Sequence, residues 1–334
     1  MFKNKSILVT GATGSFGKAF IENLIKNHPN FKRLVIFSRD ELKQFEMSKQ
    51  KKFQHQNLRM FIGDIRDKDR ILRALEGIDI VIHAAALKQV PTAEYNPFEF
   101  IKTNIMGAMN LIDACIDRNV KRVVALSTDK ASSPINLYGA TKLASDKLFS
   151  ASNSYSGVHK TQFCNVRYGN VMGSRGSVIP FFITQKEIGV MPITDNRMTR
   201  FMIALEDGVK LVWTAFYDME GGETYVKKIP SMKVTELARA IAPNAKHEIV
   251  GIRPGEKLHE QMISKEDALY TYEYKDYYKI LPVINNWSTS KSYIKNGKKV
   301  AEGFSYTSND NTKWMSVEML QKWISRNDDE IGNI

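Results

Sequence analysis

The chain predicts an α/β fold, a Rossmann-type doubly wound parallel sheet with a smaller C-terminal substrate-binding lobe. Three observations carry that reading. Short β-branched runs alternate with amphipathic helical stretches through the first half, a glycine turn follows the first run at once, and the alternation stops after residue 168. Strands that alternate with helices call for right-handed crossovers, which cover both faces of a parallel sheet.

The elements follow in order. Strands read at SILVT (6–10), RLVIF (33–37), LRMFI (58–62), DIVIHAA (79–85), RVVALS (122–127) and QFCNVRY (162–168). Between them lie the amphipathic stretches FGKAFIENLIKN, DELKQFEMSKQ, DKDRILRALEG and FEFIKTNIMGAMNLIDACIDRN. Residues 1–168 are therefore assigned to a dinucleotide-binding domain. GNVMGSRGSVIP reads as a loop, and the amphipathic helix RFMIALEDGVKLVWTAF returns 200–226 to the sheet domain. Residues 169–199 and 227–334 are assigned to the lobe.

Apolar residues make up 43% of the 334 and charged residues 25%, ordinary values for a soluble globular protein. No apolar run approaches the roughly 18 residues of a membrane helix. The segment MFKNKSILVTGATG reads as a first strand entering a turn rather than as a signal peptide. Cys115 and Cys164 sit far apart in apolar segments, which speaks against a disulfide framework and fits a reducing cytoplasm. A net charge of +12 fits nucleic acid, an anionic membrane surface or phosphate-bearing small molecules. The basic residues are spread along the chain, and the cluster in MSKQKKFQHQ reads as a solvated helix face. Zinc-finger spacing, an RNP-like aromatic strand and a basic tail are all missing, so no nucleic acid is expected as a partner. The six histidines show no metal spacing, LHEQM is not H-E-x-x-H, and no metal is expected.

Gly11, Gly14 and Gly17 form G-x-x-G-x-x-G between the first strand and the first helix. Glycines there permit a tight turn and close approach of backbone to a pyrophosphate, whose charge the helix N-terminus stabilises. A P-loop fails on spacing, and Ala19 stands where magnesium would need Ser or Thr. Thr13, Ser15 and Phe16 fill the same turn and are candidate cofactor contacts. An NAD site places Asp or Glu about 20 residues on, at the end of the second strand. This chain has Ser38-Arg39 there, a hydroxyl beside a guanidinium that suits a 2′-phosphate, with Lys43 one helical turn on. NADP is favoured, although Asp40 and Glu41 pull mildly the other way and read equally well as first-turn helix residues. After the third strand Asp64 is placed to meet the adenine amine, and Ile65 beside it is a candidate cofactor contact.

Tyr138 and Lys142 share one helix face. A phenol of pKa about 10 is ~0.1% ionised at pH 7, and a cation one turn away favours the phenolate. The pair can take a hydroxyl proton while a hydride leaves the same carbon for nicotinamide. Ser127 and Thr128 lie upstream to bind the reacting hydroxyl. Without the glycine turn, a buried Tyr beside a snorkelling Lys would be the better reading.

These residues resemble the extended short-chain dehydrogenase/reductase superfamily of nucleotide-sugar enzymes. HAAALKQVPTAEYNP, KTNIMGAMN, RYGNVMGSRGSVIPFF and RPGEKLHE carry the likeness over essentially the whole chain. Together they resemble the family of inverting UDP-N-acetylglucosamine 4,6-dehydratases, which opens pseudaminic acid biosynthesis for flagellin glycosylation. The resemblance implies a tightly held, recycled NADP and oxidation at carbon 4 of the sugar, which acidifies the proton on carbon 5. Retaining relatives carry Asp-Glu where this chain has Asp129-Lys130. Asp129 is then the acid for the hydroxyl on carbon 6, and Lys130 the base at carbon 5, provided it loses its proton. The product is UDP-2-acetamido-2,6-dideoxy-beta-L-arabino-hexos-4-ulose. The resemblance further implies that Ala84, Ala85 and Lys88 border the cofactor, and that Lys88 also borders the sugar. Asn170 and Val178 are implied substrate contacts, Val171 and Arg175 cofactor contacts, and Thr194 a nucleotide contact. Arg253 is expected on the pyrophosphate and Glu256 on ribose hydroxyls, although the two could simply pair with each other. Asn104 is expected to prop the active-site helices, and relatives imply a homo-oligomer, a hexamer. Two other readings remain: a UDP-hexose 4-epimerase, which needs Tyr138 and Lys142 but not Asp129-Lys130, and a non-catalytic dinucleotide sensor.

Overall fold

All five side chains of β1 (Ser6–Thr10) are buried, so the first strand lies inside the sheet and not at its edge. The computed structural model describes residues 2–174, 176–283, 291–327 and 331. Strands β2 (Arg33–Ser38), β3 (Leu58–Ile62), β4 (Ile80–His83), β5 (Arg122–Leu126) and β6 (Gln162–Arg167) join β1 in parallel, in the order 3-2-1-4-5-6. Side chains alternate across this sheet with period two. Ile7 and Val9 enter the core on one face, and Leu8 enters the core on the other.

Helices cover both faces: α1 (Ser15–Asn27), α2 (Glu41–Lys49), α3 (Lys68–Ala74), α4 (Val90–Tyr95), α5 (Pro97–Phe100), α6 (Gly107–Asp117) and α7 (Leu137–Ala151). A π-helical turn, Ile101–Met106, leads into α6. Among the described residues, no helix is long and apolar enough to cross a membrane.

The second half contributes β7 (Asn170–Val171), α8 (Val178–Gln185), β8 (Val190–Ile193), β9 (Thr199–Ile203), α9 (Leu205–Asp218), β10 (Thr224–Lys227), β11 (Ser231–Lys233), α10 (Val234–Ile241), β12 (Lys246–Ile249), β13 (Gln261–Ile263), β14 (Thr271–Glu273) and β15 (Tyr277–Ile280). Strand β10 adds to β6 in parallel, and Val209, Val212 and Phe216 of α9 join the core cluster of α1. Two boundaries differ from the sequence reading. Strands β14 and β15, assigned there to the lobe, extend the large sheet antiparallel beyond β10. Without them β10 would expose a row of unpaired backbone groups. Conversely β9, most of which the sequence reads as the start of the helix RFMIALEDGVKLVWTAF, is a fully buried strand of a small sheet with β11 and β7. The lobe has its own core, with Ile179, Phe182, Met191, Ile193, Leu237 and Leu320. It faces the C-terminal ends of the parallel strands, where sheets of this order place ligands.

Candidate active site

The glycine turn has the shape a dinucleotide requires. Gly11 has φ +61°, and a Cβ there would lie 2.7 Å from the backbone of Ala84. A Cβ on Gly17 would lie 2.6 Å from the backbone of Ala12, so α1 can seat against the turn only with glycine at that position. Gly14 caps α1 without any side-chain bond, and the first turn holds no acidic residue. The helix N-terminus is thus left for an anion, and the cradle fits a dinucleotide pyrophosphate. Ser15 opens α1, and Thr13 is buried in the turn. Ala84 and Ala85 both donate their N–H groups to Thr10 Oγ1 at 3.2 Å, which fixes the loop leaving β4 beside the turn. Phe16 is different: its ring packs between Phe20 and Tyr168 in the core, which leaves only its backbone for a ligand.

At the end of β2, Ser38 is buried and accepts from the Gln44 side chain at 3.1 Å. Arg39 is half exposed, with its guanidinium 3.8 Å from Asp64. Asp40 caps α2 by accepting from the Lys43 N–H at 3.0 Å, and its carboxylate pairs with Lys43 Nζ at 2.7 Å. That is the first-turn role weighed from the sequence, and it occupies Lys43 as well. Asp64 accepts from the Arg66 side chain at 2.7, 3.0 and 3.1 Å and from the Arg66 N–H at 2.9 Å. Burial works to raise its pKa, but the Arg66 bonds prevail and hold it below the usual carboxylate range. The Ile65 side chain belongs to the core, where a Cβ on Gly107 would press against it, and not to the cleft.

The turn after β5 and the start of α7 bring Thr128, Asp129, Lys130 and Tyr138 together. Asn136 caps α7 by accepting from the Gly139 N–H at 2.8 Å, and donates to the Gly255 carbonyl at 2.7 Å. Lys257 donates to the Ser132 carbonyl at 2.6 Å. The RPGEK loop of the lobe is thereby fastened onto the turn that follows β5. Asp129 is fully buried, and its Oδ1 accepts from Thr128 Oγ1 at 2.8 Å and from Lys130 Nζ at 3.2 Å. Burial lowers the pKa of the Lys130 ammonium, but the carboxylates of Asp129 and then Glu260 outweigh it and raise it well above the ordinary lysine value. Burial pushes the Tyr138 phenol up to about 12, against the pull of the Lys130 ammonium and a hydrogen bond with Thr128.

Two sequence-based roles change here. The sequence makes Lys142 the cation that favours the phenolate, yet its Nζ donates to the carbonyl of Leu126, the last residue of β5, at 2.7 Å. Lys130 is the cation acting on Tyr138. Ser127 donates to Asp146 at 2.5 Å, and Asp146 also meets buried Arg167 at 3.3 Å. The Ser127 hydroxyl therefore faces the interior, which leaves Thr128 as the hydroxyl beside Tyr138.

Asn104 is buried and clamps Leu87 in both directions, accepting from its N–H and donating to its carbonyl at 2.9 Å. It also donates to Thr141 at 3.0 Å. Lys88, next in the same loop, has its pKa lowered first by loss of solvation and then by the Lys130 ammonium. Asn170 Oδ1 is buried without a hydrogen-bond partner, as fits a group awaiting a ligand donor. Val171 packs on the main core and Val178 opens α8 on the lobe core. Thr194 is half-buried after β8. Arg175 lies outside the described residues. Arg253, a largely exposed side chain, pairs with Glu256 at 3.2 Å, the plain ion pair that the sequence allowed.

Sequence reasoning missed Arg200 and Glu260. Arg200 is buried at the start of the small sheet, 3.0 Å from Glu256 and 3.7 Å from Glu260. The available signal was a charge inside an apolar run, in MTRFMI and HEQMI. Among the described residues, no group of three or more His, Cys, Asp or Glu stands where it could hold a metal ion.

Residues 7–282 match the family model described as polysaccharide biosynthesis protein. An inverting UDP-N-acetylglucosamine 4,6-dehydratase of Campylobacter jejuni subsp. jejuni serotype O:23/36 (strain 81-176) is 56% identical over 328 residues, 96% of this chain and 97% of that one. A UDP-glucose 4-epimerase of Rickettsia massiliae (strain Mtu5) is 41% identical over 329 residues, 96% of each chain. The X-ray structure of Pen from Bacillus thuringiensis superposes with a TM-score of 0.88 at 38% identity, covering 98% of both chains. The chain thus belongs to the polysaccharide biosynthesis protein family, and its kinship within it is with the inverting UDP-N-acetylglucosamine 4,6-dehydratases.

Proposed function

We propose that the chain removes water across carbons 5 and 6 of UDP-N-acetylglucosamine and inverts carbon 5, giving the 4-keto-6-deoxy sugar nucleotide expected from its sequence. One observation carries this reading: Asp129 and Lys130 form a contact of 3.2 Å beside Tyr138, with the Asp129 side chain wholly buried and the Lys130 side chain 23% exposed. A dehydrogenase or an epimerase has no use for that pair.

The glycine turn with Ser38 and Arg39 would hold NADP, Arg39 supplying the charge that a 2′-phosphate attracts. Bound there, the nicotinamide supplies a hydride acceptor for carbon 4 and later a hydride donor for carbon 6. Tyr138 takes the proton of the hydroxyl on carbon 4, and Thr128 orients that hydroxyl. Lys130 takes the proton on carbon 5, and Asp129 gives its proton to the departing hydroxyl on carbon 6. For this Lys130 must be an amine and Asp129 a carboxyl. One proton passed along the hydrogen bond from the Lys130 ammonium to Asp129 sets both groups in the form the step needs. No proton need come from solvent.

Arg200, Arg253 and Lys257 place positive charge at the lobe side of the cleft, which supports recognition of a nucleoside diphosphate. The pathway step, first in pseudaminic acid formation for surface glycosylation, the cytoplasmic setting and the hexamer belong to the same proposal, supported by the likeness to the Campylobacter dehydratases. The Rickettsia relatives favour a second reading, a 4-epimerase. Replacing both Asp129→Asn and Lys130→Met separates the two. The dehydratase reading expects no dehydrated product from that variant, and full activity at carbon 4 would defeat it.

A further inference from the structure

Lys130 faces two buried carboxylates, and only one of them is its chain neighbour. Glu260 Oε1 lies 3.4 Å from Lys130 Nζ, close to the 3.2 Å of Asp129 Oδ1. Glu260 immediately precedes β13, so the lobe delivers this charge to a turn of the sheet domain. Its backbone is fixed by Ser308, whose Oγ accepts from the Glu260 N–H at 2.9 Å. Arg200 Nε stands 3.7 Å from its carboxylate, and its Oε2 is buried without a hydrogen-bond partner. Tyr138, Arg200, Lys88 and Lys257 are the other charged or titratable groups that bear on Lys130. Burying a carboxylate beside a buried pair that is already neutral overall is costly and adds little to stability.

Resting on the dehydratase reading, we propose that Glu260 is a positioning residue for the elimination step, holding Lys130 Nζ in place and keeping on the Lys130–Asp129 pair the one proton that the step uses. In that step the bond from carbon 5 to hydrogen breaks and its proton goes to Lys130 Nζ. The electron pair left behind forms the double bond between carbons 5 and 6. The bond from carbon 6 to oxygen breaks, and the oxygen keeps its electrons, takes the Asp129 proton and leaves as water. Amine and carboxyl become ammonium and carboxylate. The step needs the one proton that the Lys130–Asp129 pair shares, and a negative group fixed beside Lys130 keeps that proton on the pair to higher pH.

The test is the pH dependence of kcat at saturating UDP-N-acetylglucosamine for the wild type, Glu260→Gln and Glu260→Asp. Glu260 stabilises the protonated form of Lys130, so removing its charge lets that proton escape at lower pH. In Glu260→Gln the alkaline limb should move down by about one pH unit or more. Glu260→Asp keeps the charge one methylene farther back, and its limb should fall between the other two. An alkaline limb unmoved in folded Glu260→Gln overturns the proposal, since a merely structural role would lower kcat without moving the limb. If Glu260→Gln does not fold, Glu260→Asp decides alone: a downward shift supports the proposal and an unmoved limb refutes it. A wild type that forms no dehydrated product would instead refute the dehydratase reading, and the proposal with it.

Discussion

Replacing Asn104 with Asp alters two atoms' chemistry and almost no volume, in a place where every polar atom is committed. Asn104 Oδ1 accepts from the Leu87 N–H at 2.9 Å, and aspartate can still do so. Its Nδ2 donates to the Leu87 carbonyl at 2.9 Å and to Thr141 Oγ1 at 3.0 Å. Thr141 has no spare proton to turn around, because its hydroxyl donates to the Tyr138 carbonyl at 2.8 Å. An aspartate oxygen therefore meets two acceptors. Each lost hydrogen bond is worth about 1 kcal/mol, and each buried group left unsatisfied costs ~1–3 kcal/mol. The variant should lose roughly 2–5 kcal/mol of stability at pH 8. A protonated carboxyl regains one donor, so the folded state raises this group's pKa above its unfolded value of about 3.9. The penalty is then full at high pH and shrinks as pH falls through the raised value. Urea unfolding of variant and wild type at pH 8 and pH 5 measures the difference. Because Leu87 precedes Lys88 and Thr141 precedes Lys142, kcat should drop in the protein that stays folded. A loss below about 1 kcal/mol at pH 8, or a larger loss at pH 5, refutes the account of this clamp.

Three further outcomes are expected. Gly17→Ala places a Cβ 2.6 Å from the Ala12 backbone, so the purified variant should release far less dinucleotide on acid precipitation than the wild type. Arg39→Ala should cut the ratio of NADP to NAD affinity about tenfold or more, read from Kd values on dinucleotide-free protein; an unchanged ratio places the 2′-phosphate elsewhere. Burial lowers the His83 pKa from 6.5 to about 3, with Lys142 adding to the effect. The unfolded chain then binds a proton in that window that the folded chain refuses. Stability is full above pH 6.5 and falls toward pH 3, by about 1.4 kcal/mol per unit at most from this group. His83→Gln should flatten that dependence in urea unfolding.

Much of the sheet domain was legible because its signals are local. A strand, a glycine turn and a helix occur within residues 6–27, and the Tyr138 and Lys142 spacing is a property of one helix. What escaped was set by contacts between distant segments. Lys142 and Lys130 are both cations near Tyr138 in sequence, and it is in the fold that the Leu126 carbonyl takes up the Lys142 ammonium. Ser127 and Thr128 are adjacent hydroxyls whose opposite roles follow from strand alternation and from the buried Asp146. Arg200 and Glu260 reach the site from the lobe; a charge beside apolar residues hints at burial, but nothing nearby in sequence names the partner of Glu260, Lys130, 130 residues away. Strands β14 and β15 are three and four residues long, too short for periodicity to assign them to one sheet or another.

The account rests on Asp129 and Lys130 converting an oxidised sugar into an elimination product. Incubating the purified protein with UDP-N-acetylglucosamine in deuterated water, with no cofactor added, tests it most directly by mass and NMR spectroscopy. The expected product has lost one water, carries a deuteron on carbon 5 and has the inverted configuration there. Water loss with retained configuration would contradict the role of Lys130, and a product altered only at carbon 4 would contradict the elimination itself.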